Sequence, residues 1–359
     1  MEGIFRSVIA RLARHYIALS ILCFVLSIAF YIALYLSGRP FGVLDYMSTS
    51  YAVNYFDYGF VKRGFLGTLL YFVPGDAHIA LAIVLPVVAI VVLVSAFHKI
   101  VERIENEETR DLIKVFFAVS PFTMFQFGYE IGRLDIFNFL ITLWCLYSVH
   151  KGWWFSVLVF SVIGLLIHEA FVAFGVPLII GFAVVRARLL VGFSGWLYMV
   201  VYLVCVGLSG FLIWKFGNSA LVVQEAPGGG HDAWSRPLLQ HAFSILSWSN
   251  FFILAFLISG LYAFLAAFYL DNRGRFDALF ISSLGPLVLF FLGWDYARWT
   301  SLIALVVIAI VIIKACFEGW RFSRASVLCG GAVYLLPLGA VGTMEVFPIT
   351  RFIIGVVFF

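Results

Sequence analysis

Apolar runs about as long as a membrane-spanning helix, roughly 20 residues, recur along the whole chain and are separated only by short polar punctuation. They lie near residues 16–37, 77–97, 113–128, 135–150, 153–168, 170–185, 190–214, 250–270, 278–294, 300–315 and 326–344, which predicts about eleven crossings. Only helices and closed barrels satisfy every backbone polar group within lipid, and runs of this length select helices. The expected fold is therefore all-α: a polytopic transmembrane helix bundle forming a single transmembrane domain over 1–359. Composition agrees, since 12% of residues are charged against about 25% in a soluble domain. At 64% hydrophobic residues, no stretch has the mixed surface that a soluble domain needs. The 40 Phe, with 10 Trp and 16 Tyr, suit a lipid interface or the wall of a lipid-facing cavity. A dispersed net charge of +4 gives no footprint for nucleic acid.

Basic residues orient the bundle. Assigning the connections to alternate sides puts fifteen Lys and Arg on one face, among them Arg6, Arg11, Arg14, Lys114, Lys151 and Lys314. Eight fall on the other: Arg39, Lys62, Arg63, Arg133, Lys215, Arg236, Arg298 and Arg351. The positive-inside rule then makes the N-terminus cytoplasmic. The first apolar run is long enough to span and lacks a small-residue cleavage site, so it is expected to stay as a span. Five cysteines fall inside apolar runs without metal-ligand spacing and are expected to be small core residues. The connections include a long first outer loop at 38–76, a charge-mixed cytoplasmic linker at 98–114 and a second outer loop at 215–249.

The two faces differ in chemistry. Inner-face charges read as stop signals, whereas outer-face charges form compact acid–base groups among Gly and aromatics: FDYGFVKRG, GYEIGRLD, HE and DYARW. Fourteen residues separate Lys114 from Tyr129 and fifteen separate Asp135 from Lys151. Such helices are about 21–23 Å long against a hydrocarbon core of about 30 Å. Their outer ends should stop below the outer lipid surface, where a charge must face protein or water. The four groups are thus expected to line one recessed cavity opening outward. The first outer loop reads as one or two interfacial amphipathic helices, with Gly59, Gly64 and Gly67 allowing a bend. The EAPGGGHDAWSRP stretch in the second reads as a mobile lid or an ordinary linker.

Lys62, Arg63, Arg133 and Arg298 would then converge, and Arg forks with a Lys point charge match phosphate or pyrophosphate oxygens. The competing reading is local ion pairing, Arg133 with Asp135 and Asp295 with Arg298. Asp57 is a candidate general base for an acceptor hydroxyl, or a cap of its own segment; Asp45 has a weaker context. His168 and Glu169, enclosed by apolar residues, read as a base, an acceptor-binding group or an internal hydrogen-bonded pair. Glu130, Asp135 and Asp295 would support the cations. Asp57, Glu130, Asp135, Glu169 and Asp295 with His168 could supply ligands to a divalent metal, but no metal-binding spacing is present and no cofactor is expected. No nucleotide-binding glycine motif appears either.

With a long first outer loop carrying Asp57 and a recessed outer cluster, the chain resembles the GT-C superfamily of membrane glycosyltransferases. The D-Y-G-F-V-K-R-G, G-R-x-D, H-E and D-x-x-R-W groups also resemble blocks in bacterial surface-polysaccharide membrane proteins, including O-antigen polymerases of the Wzy type. The resemblance implies transfer from a polyprenyl-phosphate- or pyrophosphate-linked sugar or glycan at the outer face of the bacterial cytoplasmic (inner) membrane. Many GT-C enzymes carry paired acids in the first loop, whereas Asp57 stands beside Tyr58; Wzy-type polymerases rely on arginines. A lipid-glycan flippase or small-solute transporter is the alternative from another class. Transporters place ionisable and broken-helix features near the midplane, often in related halves. No repeat is evident here.

Overall fold

In a computed structural model of the chain, residues 2–36, 51–187, 193–217, 248–291, 296–335, 340–341 and 345–346 are described. Asp45, Asp295, Arg39, Arg188, Arg236, Arg351 and the EAPGGGHDAWSRP segment lie outside them.

The described chain is helical apart from one two-residue antiparallel pairing, Ala340–Val341 (β1) with Glu345–Val346 (β2). Helix α1 (Glu2–Arg14) is amphipathic and turns by 75° into α2 (Tyr16–Leu36), an angle suited to one helix lying along an interface and one entering lipid. Two short helices follow, α3 (Tyr55–Tyr58) and α4 (Gly64–Leu70), in the described part of the 38–76 segment. Then come α5 (Gly75–Val101), α6 (Glu107–Val119), α7 (Met124–Tyr129), α8 (Asp135–Lys151), α9 (Trp154–Ile167), α10 (Phe171–Ala187) and α11 (Phe193–Phe216). The last group is α12 (Trp248–Asp271), α13 (Ala278–Ser282), a 3-10 helix (Gly285–Phe291), α14 (Tyr296–Glu318) and α15 (Arg324–Tyr334).

Helix starts follow local chemistry. Asn106 accepts from the Thr109 amide ahead of α6, whose first turn carries Glu107 and Glu108. Asp277 accepts from Leu279 and Phe280 at α13, and Ser323 forms a capping box with Ser326 at α15.

Among the described residues, five stretches are long and apolar enough to cross a membrane: Val84–Val101, Glu107–Tyr129, Gly195–Phe216, Phe251–Asp271 and Arg298–Glu318. Counting the bent α1–α2 pair as one span makes six. The chain is a multi-pass helical membrane protein. The shorter apolar helices Trp154–Ile167, Phe171–Val185 and Ala278–Phe291 occupy other positions where crossings are expected.

Burial sorts the bundle into centre and rim. Glu107–Tyr129 is 89% buried and Arg298–Glu318 is 78% buried, whereas Gly195–Phe216 is 17% buried. The last presents Trp196, Leu203 and Phe211 outward, as a lipid-facing helix does. Close packing of α2 on α7 depends on Gly128, where a Cβ would sit 2.5 Å from the Phe24 carbonyl oxygen. The central helix α14 is anchored at both ends by ion pairs of buried cations. Arg298 pairs with Asp135 near its start, and Lys314 near its end binds Asp277 and Glu318, each at 2.6 Å. Sixteen residues of helix hold these two polar layers about 24 Å apart.

A separate cluster ties the end of α5 to the start of α6 across residues 102–106, the only part of the 98–114 segment outside those two helices. Lys114 Nζ binds Glu102 at 2.6 Å, His98 and Arg110 approach the same carboxylate, and Arg6 of α1 pairs with Glu108 at 3.4 Å. The hydrogen bond from Lys114 keeps the Glu102 carboxyl below its usual range against the opposing effect of burial.

Candidate functional site

The site is assembled from helix ends. The C-terminal end of α7, the start of α8, the α9–α10 junction and the start of α14 meet, and α4 brings in Arg63. Long helices lend their N-terminal dipoles at the starts of α8, α10 and α14, a setting that favours negative charge.

Arg298 sits on the first turns of α14, 5% exposed, and grips Asp135 by two hydrogen bonds. Nε donates to Oδ2 and Nη2 to Oδ1, the latter at 2.8 Å. Asp135 occupies the first turn of α8, so the helix dipole and the guanidinium both hold its charge. Tyr296 and Trp299, the aromatics of the DYARW group, pack on Phe290 with ring centroids 5.7 and 5.4 Å away, fixing the 3-10 helix beside the start of α14.

The same guanidinium reaches His168, with Nη2 to Nε2 at 2.7 Å. At the other side of the ring, the Ala170 amide donates to Nδ1 at 3.0 Å. A neutral imidazole accepts at only one nitrogen, so no single tautomer satisfies both donors. An imidazolium would meet a donor at each nitrogen, so this surrounding favours the neutral ring. The Asn138 amide donates to the His168 carbonyl at 3.0 Å, holding the α9–α10 junction against α8.

Glu169 turns the other way, into a fork with Arg63. Nη2 donates to Oε1 at 2.6 Å and Nε to Oε2 at 3.1 Å, while Glu169 Oε2 lies 3.7 Å from His168 Nδ1. Arg63 reaches this position from a left-handed backbone conformation, φ 64°, just ahead of α4. Such a conformation costs a non-glycine residue about 1–3 kcal/mol and persists where surrounding contacts impose it. The turn is held from below by Thr68, whose hydroxyl accepts from the Tyr55 amide at 2.8 Å. At Gly67 any Cβ would collide with the Val53 carbonyl oxygen.

Arg63, Glu169, His168, Arg298 and Asp135 therefore form one continuous polar chain across α4, the α9–α10 junction, α14 and α8. Beside it, Arg133 Nε binds Glu130 Oε2 at 3.2 Å. Glu130, Arg133, Asp135 and Arg298 line one narrow cleft. Among the described residues, three guanidinium groups face three carboxylates at this site, so their charges balance.

The predicted cations Arg63, Arg133 and Arg298 are thus brought into one neighbourhood, but their pairing differs from the local one considered above. Asp135 takes Arg298 rather than Arg133 as its bidentate partner, because the loop at 130–134 turns Arg133 back to Glu130. Lys62 precedes Arg63 and makes no ion pair among the described residues. Asp57 is exposed in α3, where its carboxylate accepts from Asn54 Nδ2 at 2.8 Å and its amide donates to Asn54 Oδ1. Asn54, not Asp57, caps that helix. Among the described residues, no three His, Cys, Asp or Glu side chains group as a metal site.

Two polar residues at the site escaped the sequence reading, Gln126 and Asn138, both buried. Each interrupts an apolar run (MFQFGY and DIFNFL), and a polar residue inside such a run is the signal that marks them.

No family model, curated protein or solved structure matches this chain.

Proposed function

We propose that this chain is a membrane glycosyltransferase or polysaccharide polymerase that uses a polyprenyl-phosphate- or pyrophosphate-linked sugar or glycan at the outer face of the bacterial cytoplasmic membrane. The about eleven crossings and the cytoplasmic N-terminus belong to the same reading. It is carried by one observation: Arg63, Arg133 and Arg298 gather with the N-terminal ends of three long helices at one end of the bundle. Preplaced cations and helix dipoles stabilise charge that develops on a departing phosphate, and fixed donors of this kind contribute about 10²–10³ in rate. Since carboxylates already balance the three guanidinium groups, Lys62 supplies the surplus positive charge that the lipid phosphate requires. Glu169 is committed to Arg63 and His168 to Arg298, so both position cations in this mechanism. Asp57, exposed and held only by Asn54 among the described residues, is left to take the proton of the acceptor hydroxyl.

The test uses the purified chain in lipid with a polyprenyl-pyrophosphate-linked sugar and an acceptor glycan. Wild-type protein is expected to release polyprenyl pyrophosphate and lengthen the glycan, and Arg133→Ala to abolish this while still inserting and accumulating. Normal glycan length with Arg133→Ala overturns the reading.

A flippase or small-solute transporter is the second reading, favoured by the near-neutral charge balance and the helix breaks at the site. Movement of a fluorescent lipid-linked glycan across vesicles, without bond cleavage, selects it.

A further inference from the structure

Gln126 is an anomaly in the cleft wall. Its side chain is 4% exposed, and among the described residues neither its Oε1 nor its Nε2 has a hydrogen-bond partner. Buried amides are nearly always paired, and leaving one unpaired destabilises the fold. The residue lies on α7 and lines the same cleft as Arg133 and Arg298. Structural economy does not account for it, because leucine or methionine would fill a similar volume without an unmet donor and acceptor.

The cleft around it is divided by chemistry. Pro86 and Ile90 of α5 and Leu302 and Leu305 of α14 are apolar parts of its wall, and Arg133 and Arg298 are charged ones. On α14 the lining residues Arg298, Ser301, Leu302 and Leu305 follow helical spacing, so one stripe of that helix faces the cleft and passes from charged to apolar along its length. Pro86 interrupts the hydrogen bonding of α5 where it meets this wall.

A primary amide presents a donor and an acceptor side by side. Its best partner presents an acceptor and a donor at the same spacing, as when Gln reads the adjacent donor and acceptor of an adenine edge. A water or a lone hydroxyl meets this fork less completely. On a sugar the matching pair is two neighbouring hydroxyls, or a hydroxyl beside the N–H or the carbonyl of an acetamido group, whose own N–H and C=O point apart.

We propose that Gln126 is a specificity-determining residue that reads an adjacent donor–acceptor pair on the sugar nearest the lipid phosphate. This rests on the function proposed above, since the arginines of the same cleft place the phosphate. A sugar docked here supplies the two hydrogen bonds that the amide lacks, and a lipid phosphate without a sugar does not.

Binding to the full chain in lipid nanodiscs tests this with three probes: polyprenyl pyrophosphate alone, the same lipid carrying a hexose, and the same lipid carrying an N-acetylhexosamine. Wild-type protein is expected to bind at least one sugar-bearing probe about tenfold more tightly than the bare lipid, the scale of two net hydrogen bonds. Gln126→Leu and Gln126→Met are expected to lose that advantage and to keep wild-type affinity for the bare lipid. Both should accumulate, because each replaces an unpartnered amide with an apolar group of similar size. A gain confined to the N-acetylhexosamine identifies the acetamido group, and an equal gain with the hexose identifies neighbouring hydroxyls. Retention of the sugar preference in both variants overturns the inference, as does a wild-type protein that binds the bare lipid as tightly as the sugar-bearing probes. Wild-type protein that binds none of the three removes the proposed function and this inference with it.

Discussion

Arg298 and Asp135, 163 positions apart in the chain, close a bidentate ion pair inside the bundle, and His168 shares the guanidinium. The pair ties the start of the central helix α14 to the start of α8, and through His168 and Glu169 it connects to Arg63 ahead of α4. Positions of the candidate cations are therefore interdependent.

Removing one partner should cost more than removing both. Arg298→Met leaves Asp135 buried without its counter-charge, a change worth about 3–5 kcal/mol. Arg298→Met with Asp135→Leu should recover part of that loss, because an apolar pair replaces the ion pair. Thermal unfolding of the detergent-solubilised variants checks this, and a double variant as unstable as the sum of the two singles contradicts it.

The Arg63–Glu169 fork predicts a division between binding and chemistry. Glu169→Gln keeps the shape but weakens the hold on Arg63, so substrate KM should rise more than kcat falls. Asp57→Asn should lower kcat by about 10²–10⁴ with little change in KM, the expected loss of a general base. Steady-state transfer assays separate the two, and an unchanged kcat for Asp57→Asn removes Asp57 from the mechanism.

Acid should loosen the linker cluster. Lys114 depresses the Glu102 carboxyl in the folded chain, so this pairing stabilises the fold above the unfolded carboxyl value, about 4.3, and loses that contribution as pH falls through the lower folded value. Thermal stability should decline in that acidic window, with a smaller decline for Glu102→Gln. Identical pH profiles for the two proteins refute the contribution.

Sidedness is open to direct labelling. With Cys23, Cys145, Cys205, Cys316 and Cys329 replaced by Ala, single cysteines at Phe60 and Glu105, both exposed, report the first outer loop and the 98–114 linker. A membrane-impermeant maleimide added to intact cells should label position 60 and reach position 105 only after permeabilisation. Labelling of both from one side removes the proposed topology.

Hydropathy marked the membrane class and the positions of the helices, because a lipid solvent admits few alternatives to a long apolar helix. The sequence also contained the acid–base groups whose arginines meet at the site, since charges near short apolar helices have few places to go. Pairing was different. Arg133 and Asp135 are sequence neighbours, yet the turn at 130–134 sends one to Glu130 and the other to Arg298, and only the packing of α8 against α14 decides that. Asp57 lies five residues before Lys62 in the sequence, and only the fold of α3 shows that Asn54 both caps that helix and binds the Asp57 carboxylate. Gln126 and Asn138 are visible as polar interruptions, while their burial, and the absence of a partner for the Gln126 amide among the described residues, exist only once the helices surround them. Composition and periodicity fix which solvent a segment prefers, a property each segment carries by itself. Hydrogen-bond partners depend on distances between segments far apart in the chain, and those distances arise only when the helices pack.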